Sequence, residues 1–202
     1  MGGHDPYSSS KGAAELAVAS WRRSYPTGPR LATGRAGNVI GGGDWSQDRI
    51  VTDFIRAIQS GRALQLRNPR STRPWQHVLE PLCGYLTLAE RLCGNDGAAF
   101  AQAWNFGPAD SNVVPVETLA RLLVAAWGAG EVLDASHPQQ PHEAGLLKLD
   151  SSLAQARLGW RGRWDVAETA RRTAHWYRDL ANGADACDLV ERDLSAYVSS
   201  ES

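Results

Sequence analysis

Short stretches typical of β-strands alternate with amphipathic helical segments along most of the 202 residues. Apolar residues recur every three to four positions in the longer segments, which is typical of helices that bury one face. The predicted helices cover residues 7–24, 48–60, 81–93, 116–127, 151–158, 165–181 and 187–198. The predicted strands cover residues 30–36, 63–66, 75–79 and 104–108. This alternation indicates an α/β fold built on a parallel sheet.

The overall composition limits the class of protein. The formal net charge is −1, with 43% hydrophobic and 21% charged residues, as in an ordinary globular protein. A nearly neutral chain carries no electrostatic signature of nucleic-acid or membrane-surface binding. No apolar run approaches the roughly 18 to 20 residues that span a bilayer, and the N-terminus lacks the basic and apolar regions of a signal peptide. We therefore expect a cytoplasmic protein with no nucleic-acid partner and no membrane partner.

The sequence predicts no metal site. Cys83, Cys93 and Cys187 are widely spaced and form no Cys-x-x-Cys pair, so we interpret them as small buried or half-buried apolar residues. Two histidines near residue 140 fit none of the compact ligand spacings of zinc sites.

A glycine-rich phosphate turn is absent from these 202 residues. Doubly wound nucleotide-binding domains usually open with a strand, a glycine-rich turn and a helix whose N-terminus receives a pyrophosphate. This chain opens on a helix instead, and its glycine cluster at residues 41–43 is followed by Asp44 and Trp45, which do not suit a phosphate turn. We therefore expect an incomplete doubly wound parallel sheet and a smaller α/β substrate-binding domain.

Tyr7 and Lys11 lie at positions i and i+4 of the first predicted helix, on one face and one turn apart. A phenol is a weak base near neutral pH, but a nearby ammonium favours the phenolate, which can accept a proton from a substrate hydroxyl. The chain contains only one other lysine, Lys148, and a guanidinium does not replace a compact ammonium in this role. Such a pair also occurs by chance on helix surfaces, so its meaning depends on the surrounding sequence.

The surrounding sequence resembles the extended short-chain dehydrogenase/reductases of the NAD-dependent epimerase/dehydratase family that act on nucleotide sugars. The likeness rests on residues 5–15 (DPYSSSKGAAE), 35–45 (RAGNVIGGGDW) and 104–108 (WNFGP). Residues 73–81 (RPWQHVLEP) are its most specific element, because generic epimerases have a looser pattern there. The order and spacing of these segments resemble the CDP-glucose 4,6-dehydratases from residue 2 to about residue 180.

The resemblance implies the C-terminal part of an NAD-dependent lyase that converts CDP-glucose to CDP-4-keto-6-deoxyglucose in deoxysugar biosynthesis. In that family the glycine-rich NAD turn and the residues of the elimination step precede the tyrosine. We therefore expect the 202 residues by themselves to lack activity and to bind NAD poorly, whether the chain is a fragment or a truncated gene product. Two alternatives stay open: a non-catalytic module for nucleotide-sugar binding or dimerisation, and a related nucleotide-sugar epimerase or reductase.

The resemblance also assigns the cofactor and catalytic residues. Tyr7 and Lys11 are the predicted catalytic pair and contact NAD. Gly37 and Asn38 directly follow the predicted strand 30–36, and the resemblance places them beside the nicotinamide and the sugar diphosphate.

Six residues are predicted to bind the nucleotide sugar, with CDP-glucose as the expected ligand: Asn38, Arg49, Arg67, Asn68, Arg73 and Glu143. Arg49, in the first turn of a predicted helix, and Arg73, in a loop before a predicted strand, match positions that hold the diphosphate. Arg67 and Asn68 match a segment beside the base, and Glu143 matches an acidic position that accepts hydrogen bonds from the ribose.

The resemblance further predicts how the chain is divided. Residues 1–45 and 80–108 form the remaining part of the NAD-binding Rossmann domain. Residues 46–79 and 109–202 form the sugar-nucleotide domain. The helix that carries Tyr7 and Lys11 packs in the family against its counterpart in a second subunit, so we expect a homodimer.

Overall fold

The computed structural model describes residues 5–137 and 147–200, and this part of the chain contains seven α-helices and seven short strands. The helices are α1 (Pro6–Ser24), α2 (Ile50–Gln59), α3 (Leu79–Cys93), α4 (Val116–Trp127), α5 (Ser152–Leu158), α6 (Val166–Ala181) and α7 (Ala186–Ser199). The strands are β1 (Thr33–Ala36), β2 (Asn38–Ile40), β3 (Leu64–Leu66), β4 (Thr72–His77), β5 (Ala103–Phe106), β6 (Val113–Pro115) and β7 (Val132–Asp134). The predicted α/β class is confirmed, and a helix lies at each predicted position.

Three of the strand pairs are parallel, as expected for a doubly wound architecture. β1 pairs with β5, β2 pairs with β4, and β3 pairs with β7, whereas β4 and β6 are antiparallel. β1 and β2 are separated by Gly37 alone, so the chain changes its pairing partner from β5 to β4 at this glycine. A change of partner at the carboxyl end of parallel strands is the usual position of a ligand crevice in open α/β sheets.

Three strands were not predicted. β2 lies inside the glycine-rich stretch that we interpreted as a loop, and β6 and β7 are short strands without a clear alternating pattern. Each of them has only three residues, and its strand character comes from pairing with a distant segment. A local sequence pattern carries little information about such pairings.

The apolar side chains form two separate clusters. The larger one packs α2, α4 and α6 around the fully buried Leu119 and Leu123. The smaller one surrounds Trp104 and Phe106 of β5, which are also fully buried, and includes Trp160. Burial of each large apolar side chain contributes about 1.5 to 3 kcal/mol, so these clusters stabilise the elements around the site. The predicted division into two domains stays a prediction.

The interpretation of the cysteines was correct for one residue of three. Cys83 is partly buried, but Cys93 and Cys187 are exposed, because they lie near the ends of α3 and α7 on solvent-facing positions. In residues 5–137 and 147–200, no group of His, Cys, Asp and Glu side chains is arranged to hold a metal ion. None of the helices in the same ranges is long and apolar enough to cross a membrane.

His77 makes the stability of the fold dependent on pH. It is the last residue of β4, is 2% exposed, and lies edge-on to Trp164 with ring centroids 4.8 Å apart. The backbone N–H of Leu79 donates to its Nδ1 at 3.3 Å. Burial lowers the pKa of His77 to about 4, and the charge of Arg172 lowers it further, against the opposing charge of Glu168.

We expect the free energy of unfolding to fall by about 2 kcal/mol between pH 7 and pH 5 because of His77. The pKa of the imidazole is lower in the folded chain than its value near 6.5 in the unfolded chain. Stability is therefore complete above pH 6.5 and declines as the unfolded state takes up the proton first. Urea unfolding at both pH values measures this loss. In His77→Gln the loss of stability between pH 7 and pH 5 should be smaller by about 2 kcal/mol. An unchanged pH dependence in this variant would contradict the assignment to His77.

Candidate functional site

A cavity of about 1050 Å³ opens where β1 ends and β2 begins, around Gly37. Its walls are formed by the segment around Gly37, the loop between β2 and α2, strand β3 with the two residues after it, and part of β4. The lining mixes backbone, apolar side chains and charged groups of both signs. This composition suits a polar ligand with an apolar portion.

Seven of the nine predicted site residues line this cavity: Tyr7, Gly37, Asn38, Arg49, Arg67, Asn68 and Arg73. Lys11 lies outside the lining, with its Nζ 5.5 Å from the centroid of the Tyr7 ring. Glu143 lies outside the described residues. The structure thus brings together residues from the start of the chain to position 73, while the role of each stays a prediction.

Tyr7 lies at the rim of the cavity because α1 begins immediately before it. Asp5 caps the helix by accepting a hydrogen bond from the backbone N–H of Ser8 at 3.0 Å, and Pro6 occupies the first helical position. Tyr7 is 72% exposed. The phenol is therefore accessible from the cavity mouth, with the Lys11 ammonium one turn away.

Gly37 lies where the chain changes partner between β1 and β2, and the packing there leaves no room for a side chain. A Cβ at this position would lie 2.7 Å from the carbonyl oxygen of Pro74. The absence of a side chain lets β2 begin at the next residue and pair with β4, so that Asn38 lies opposite Trp75. Asn38 is thereby held at the cavity wall.

Arg73 was predicted in a loop before a strand, and this prediction was wrong. It is the second residue of β4 and is only 7% exposed. The strand begins earlier than predicted because residues 72–74 pair with β6, more than 35 positions further along the chain, with Arg73 opposite Val114. Its Nη1 donates to the carbonyl oxygen of Thr72 at 2.8 Å. A guanidinium at the wall of a partly desolvated cavity attracts an anion more strongly than a solvated one.

Arg49 and Arg67 also line the cavity, Arg49 directly before α2 and Arg67 directly after β3. Arg49 is the N-cap residue of α2, and its side chain makes no capping hydrogen bond. Arg67 directly follows β3, and its Nη2 lies 3.2 Å from Oδ1 of Asp48. Both side chains of this ion pair are largely exposed, so the pair contributes little to stability.

Sequence reasoning missed three carboxylates in the lining: Asp44, Asp48 and Asp53. Hydrogen bonds from Ser46 hold the pKa of Asp44 below its ordinary value, and the charge of Arg49 adds to this effect. Burial raises the pKa of Asp53, and the charge of Asp48 raises it further. The available signal was that Asp44 belongs to residues 35–45, which carry the family resemblance and from which only Gly37 and Asn38 were taken as site residues.

Comparison with known proteins identifies the relatives of this chain. Residues 2–98 match the NAD dependent epimerase/dehydratase family. A CDP-glucose 4,6-dehydratase from Salmonella typhimurium is 45% identical over 208 residues, which cover 98% of this chain and 57% of that protein. The predicted family resemblance is confirmed. The chain spans little more than half the length of this curated relative.

Solved structures show the same fold at lower sequence identity. The dTDP-glucose 4,6-dehydratase DesIV from Streptomyces venezuelae, solved with NAD and TYD bound, has a TM-score of 0.71 and 21% identity, over 86% of this chain and 51% of that one. A UDP-glucose-4-epimerase from Stenotrophomonas maltophila has a TM-score of 0.73 and 18% identity, over 89% of this chain and 56% of that one. The chain therefore shares its Rossmann-type α/β architecture with both dehydratases and epimerases.

Proposed function

We propose that this chain forms the nucleotide-sugar-binding part of an NAD-dependent 4,6-dehydratase, and that its substrate is CDP-glucose. The observation that carries the proposal is the convergence of Arg49, Arg67 and Arg73 on one cavity whose rim holds Tyr7. These residues come from separate elements, which only the folded chain brings together. The 45% identity to a CDP-glucose 4,6-dehydratase over nearly the whole chain supports the choice of nucleotide.

The three arginines of the cavity suit the phosphate groups of a nucleoside diphosphate. Guanidinium groups bind phosphate oxygens through paired, charge-assisted hydrogen bonds. Arg73 is the most buried of the three arginines and therefore the strongest anchor. The carboxylate of Asp48 pairs with Arg67 and keeps that guanidinium at the cavity in the absence of an anion.

The Tyr7–Lys11 pair fits the proton-transfer step of this reaction. The phenol is accessible at the cavity rim, and the Lys11 ammonium lies 5.5 Å from the centroid of its ring. Tyr7 would take the proton from the 4-hydroxyl of the glucose, and Lys11 would donate hydrogen bonds to ribose hydroxyls of the cofactor. Bound NAD supplies the hydride acceptor for C4 and the hydride donor for C6.

The residues present fit the nicotinamide-ribose end of NAD. The donor set consists of the Tyr7 phenol, the Lys11 ammonium and the backbone at Gly37 and Asn38, three of which line the cavity together. The sequence contains no glycine-rich pyrophosphate turn. We therefore expect that the 202 residues alone neither retain NAD nor turn over the substrate, and that a segment carrying this turn is required.

We expect Arg73→Ala to weaken the binding of CDP by about ten- to a hundredfold, because a charge-assisted phosphate contact contributes about 1.5 to 3 kcal/mol. Isothermal titration of the 202-residue chain with CDP, UDP and dTDP measures this loss and tests the cytidine preference. Arg73→Lys keeps the charge and should lose less.

Arg70→Ala is the matched control, because Arg70 is exposed in the loop just before β4 and does not line the cavity. Since Arg73 is buried, the unfolding curve of each variant must be recorded to establish the folded fraction. Equal affinity of wild type and Arg73→Ala for CDP would overturn the placement of the diphosphate. Equal affinity for the three nucleotides would remove the cytidine assignment.

We propose that the protein is a homodimer that associates through α1. This helix contains no buried residue, and its apolar side chains Leu16 and Trp21 are 55% and 47% exposed. Large apolar side chains that stay exposed along a helix are typical of a surface that is covered by a partner. We expect light scattering to give at least the mass of a dimer at tens of micromolar protein, and a monomeric mass would contradict the proposal.

A further inference from the structure

The loop between β2 and α2, residues 41–49, forms one wall of the cavity and is named the glycine loop here. Its lining residues are Gly41, Gly42, Asp44, Ser46, Asp48 and Arg49. Within the loop the backbone N–H of Ser46 donates to Oδ1 of Asp44 at 2.9 Å, whereas the three consecutive glycines before Asp44 leave the backbone free to adopt many conformations. Further contacts hold the loop from helix α6, through Tyr177 and Trp176.

Two buried hydroxyls converge on one backbone carbonyl of the glycine loop. The carbonyl oxygen of Asp44 accepts hydrogen bonds from Tyr177 Oη at 2.5 Å and from Thr52 Oγ1 at 3.3 Å. Tyr177 is 1% exposed and Thr52 is fully buried, and neither side chain lines the cavity. Burial raises the pKa of Tyr177 to about 12, so its hydroxyl stays a donor throughout the physiological range.

Helix α6 also supports the glycine loop by direct packing. A Cβ at Gly42 would lie 2.1 Å from Cδ2 of Trp176, so the backbone of the loop rests on the indole ring. Trp176 is 4% exposed and lies edge-on to Tyr177, with ring centroids 5.1 Å apart. Tyr177 in turn lies edge-on to Trp45, at 5.1 Å. The two aromatic residues of α6 therefore form a rigid platform beneath the loop.

We propose that Tyr177 is a positioning residue for the nucleotide sugar: through the Asp44 carbonyl, its hydroxyl fixes the glycine loop so that Arg49 faces the diphosphate. Arg49 ends the loop and begins α2, so a displacement of the loop moves this guanidinium relative to Arg73 on β4. The identity of the ligand rests on the proposed function, whereas the anchoring of the glycine loop does not.

Tyr177→Phe removes the hydroxyl and keeps the ring. A lost hydrogen bond of about 1 kcal/mol predicts roughly fivefold weaker binding of CDP. In an Arg49→Ala background, the same change should have no further effect on the affinity, because the group that is positioned is already absent. Effects that simply add in the double variant would overturn the positioning role.

Tyr197→Phe is the matched control. Tyr197 is also buried on a C-terminal helix, and its hydroxyl donates to Oε2 of Glu80 at 2.7 Å, in contact with a different part of the fold. Its loss should lower the stability without changing the affinity for CDP. A similar loss of affinity in both phenylalanine variants would show that the effect is general destabilisation, and would overturn the proposal.

A second readout requires no nucleotide. Amide hydrogen exchange of residues 44–49 in the free chain should be faster in Tyr177→Phe and unchanged in Tyr197→Phe. Unchanged exchange in Tyr177→Phe overturns the proposal whether or not CDP binds. Faster exchange together with no binding of CDP by the folded wild type supports the anchoring and shows instead that the proposed function has failed.

Discussion

Replacing Tyr7 by phenylalanine is expected to lower the turnover of CDP-glucose by about 10²- to 10⁴-fold, in the protein that contains this chain together with its NAD turn. The change removes only the hydroxyl that is proposed to take the substrate proton. The affinity for the nucleotide should be nearly unchanged, because the arginines of the cavity stay in place. The initial rate of product formation at saturating substrate measures the effect.

Tyr25→Phe is the control for this experiment. Tyr25 lies at the other end of α1, is 54% exposed and does not line the cavity, so its hydroxyl should be dispensable. A Tyr7→Phe protein with the activity of the wild type would show that another group takes the proton. Loss of CDP binding in this variant would indicate a structural role instead.

Replacing Glu80 by alanine is expected to destabilise the fold by about 3 to 5 kcal/mol, because it leaves several buried donors without an acceptor. Glu80 is 1% exposed at the start of α3. Its carboxylate accepts hydrogen bonds from the backbone N–H groups of Arg163, at 3.0 Å, and Trp164, at 2.8 Å, and from the hydroxyl of Tyr197 at 2.7 Å. Burial raises the pKa of Tyr197, and its hydrogen bond to Glu80 adds to this effect, so the phenol stays protonated as a donor.

The free energy of unfolding in urea measures the effect of Glu80→Ala. Glu80→Gln retains one acceptor oxygen and should lose clearly less, and Glu90→Ala, at an exposed position of the same helix, should lose almost nothing. Wild-type stability in Glu80→Ala would contradict the view that this carboxylate joins α3 to the loop before α6 and to α7.

The sequence predicted the helices because these depend on local pattern, and the family resemblance selected nine residues of which seven line one cavity. The cap at Asp5 and the apolar periodicity place α1, and this places Tyr7 and Lys11 one turn apart. Arg49 was expected in the first turn of a helix, and it is the residue immediately before that helix begins. These features require only neighbours within a few positions.

The parts that could not be predicted depend on distant pairings. The burial of Arg73 follows from the pairing of β4 with β6, and β2 exists because β4 lies beside it. The roles of Tyr177 and Trp176 as supports of the glycine loop join positions more than 130 residues apart. No local pattern in the sequence marks either aromatic residue as part of the site, since both resemble ordinary core residues on an amphipathic helix.

The most direct test of the central claim is the fate of deuterium from CDP-glucose labelled at C4 of the sugar. A 4,6-dehydratase moves this deuterium to C6 with loss of water, so the protein that contains this chain and an NAD turn should form CDP-4-keto-6-deoxyglucose labelled at C6. The 202 residues alone serve as the control and should leave the substrate unchanged. A 4-epimerised sugar that keeps its 6-hydroxyl and its deuterium at C4 would contradict the account and assign the chain to an epimerase.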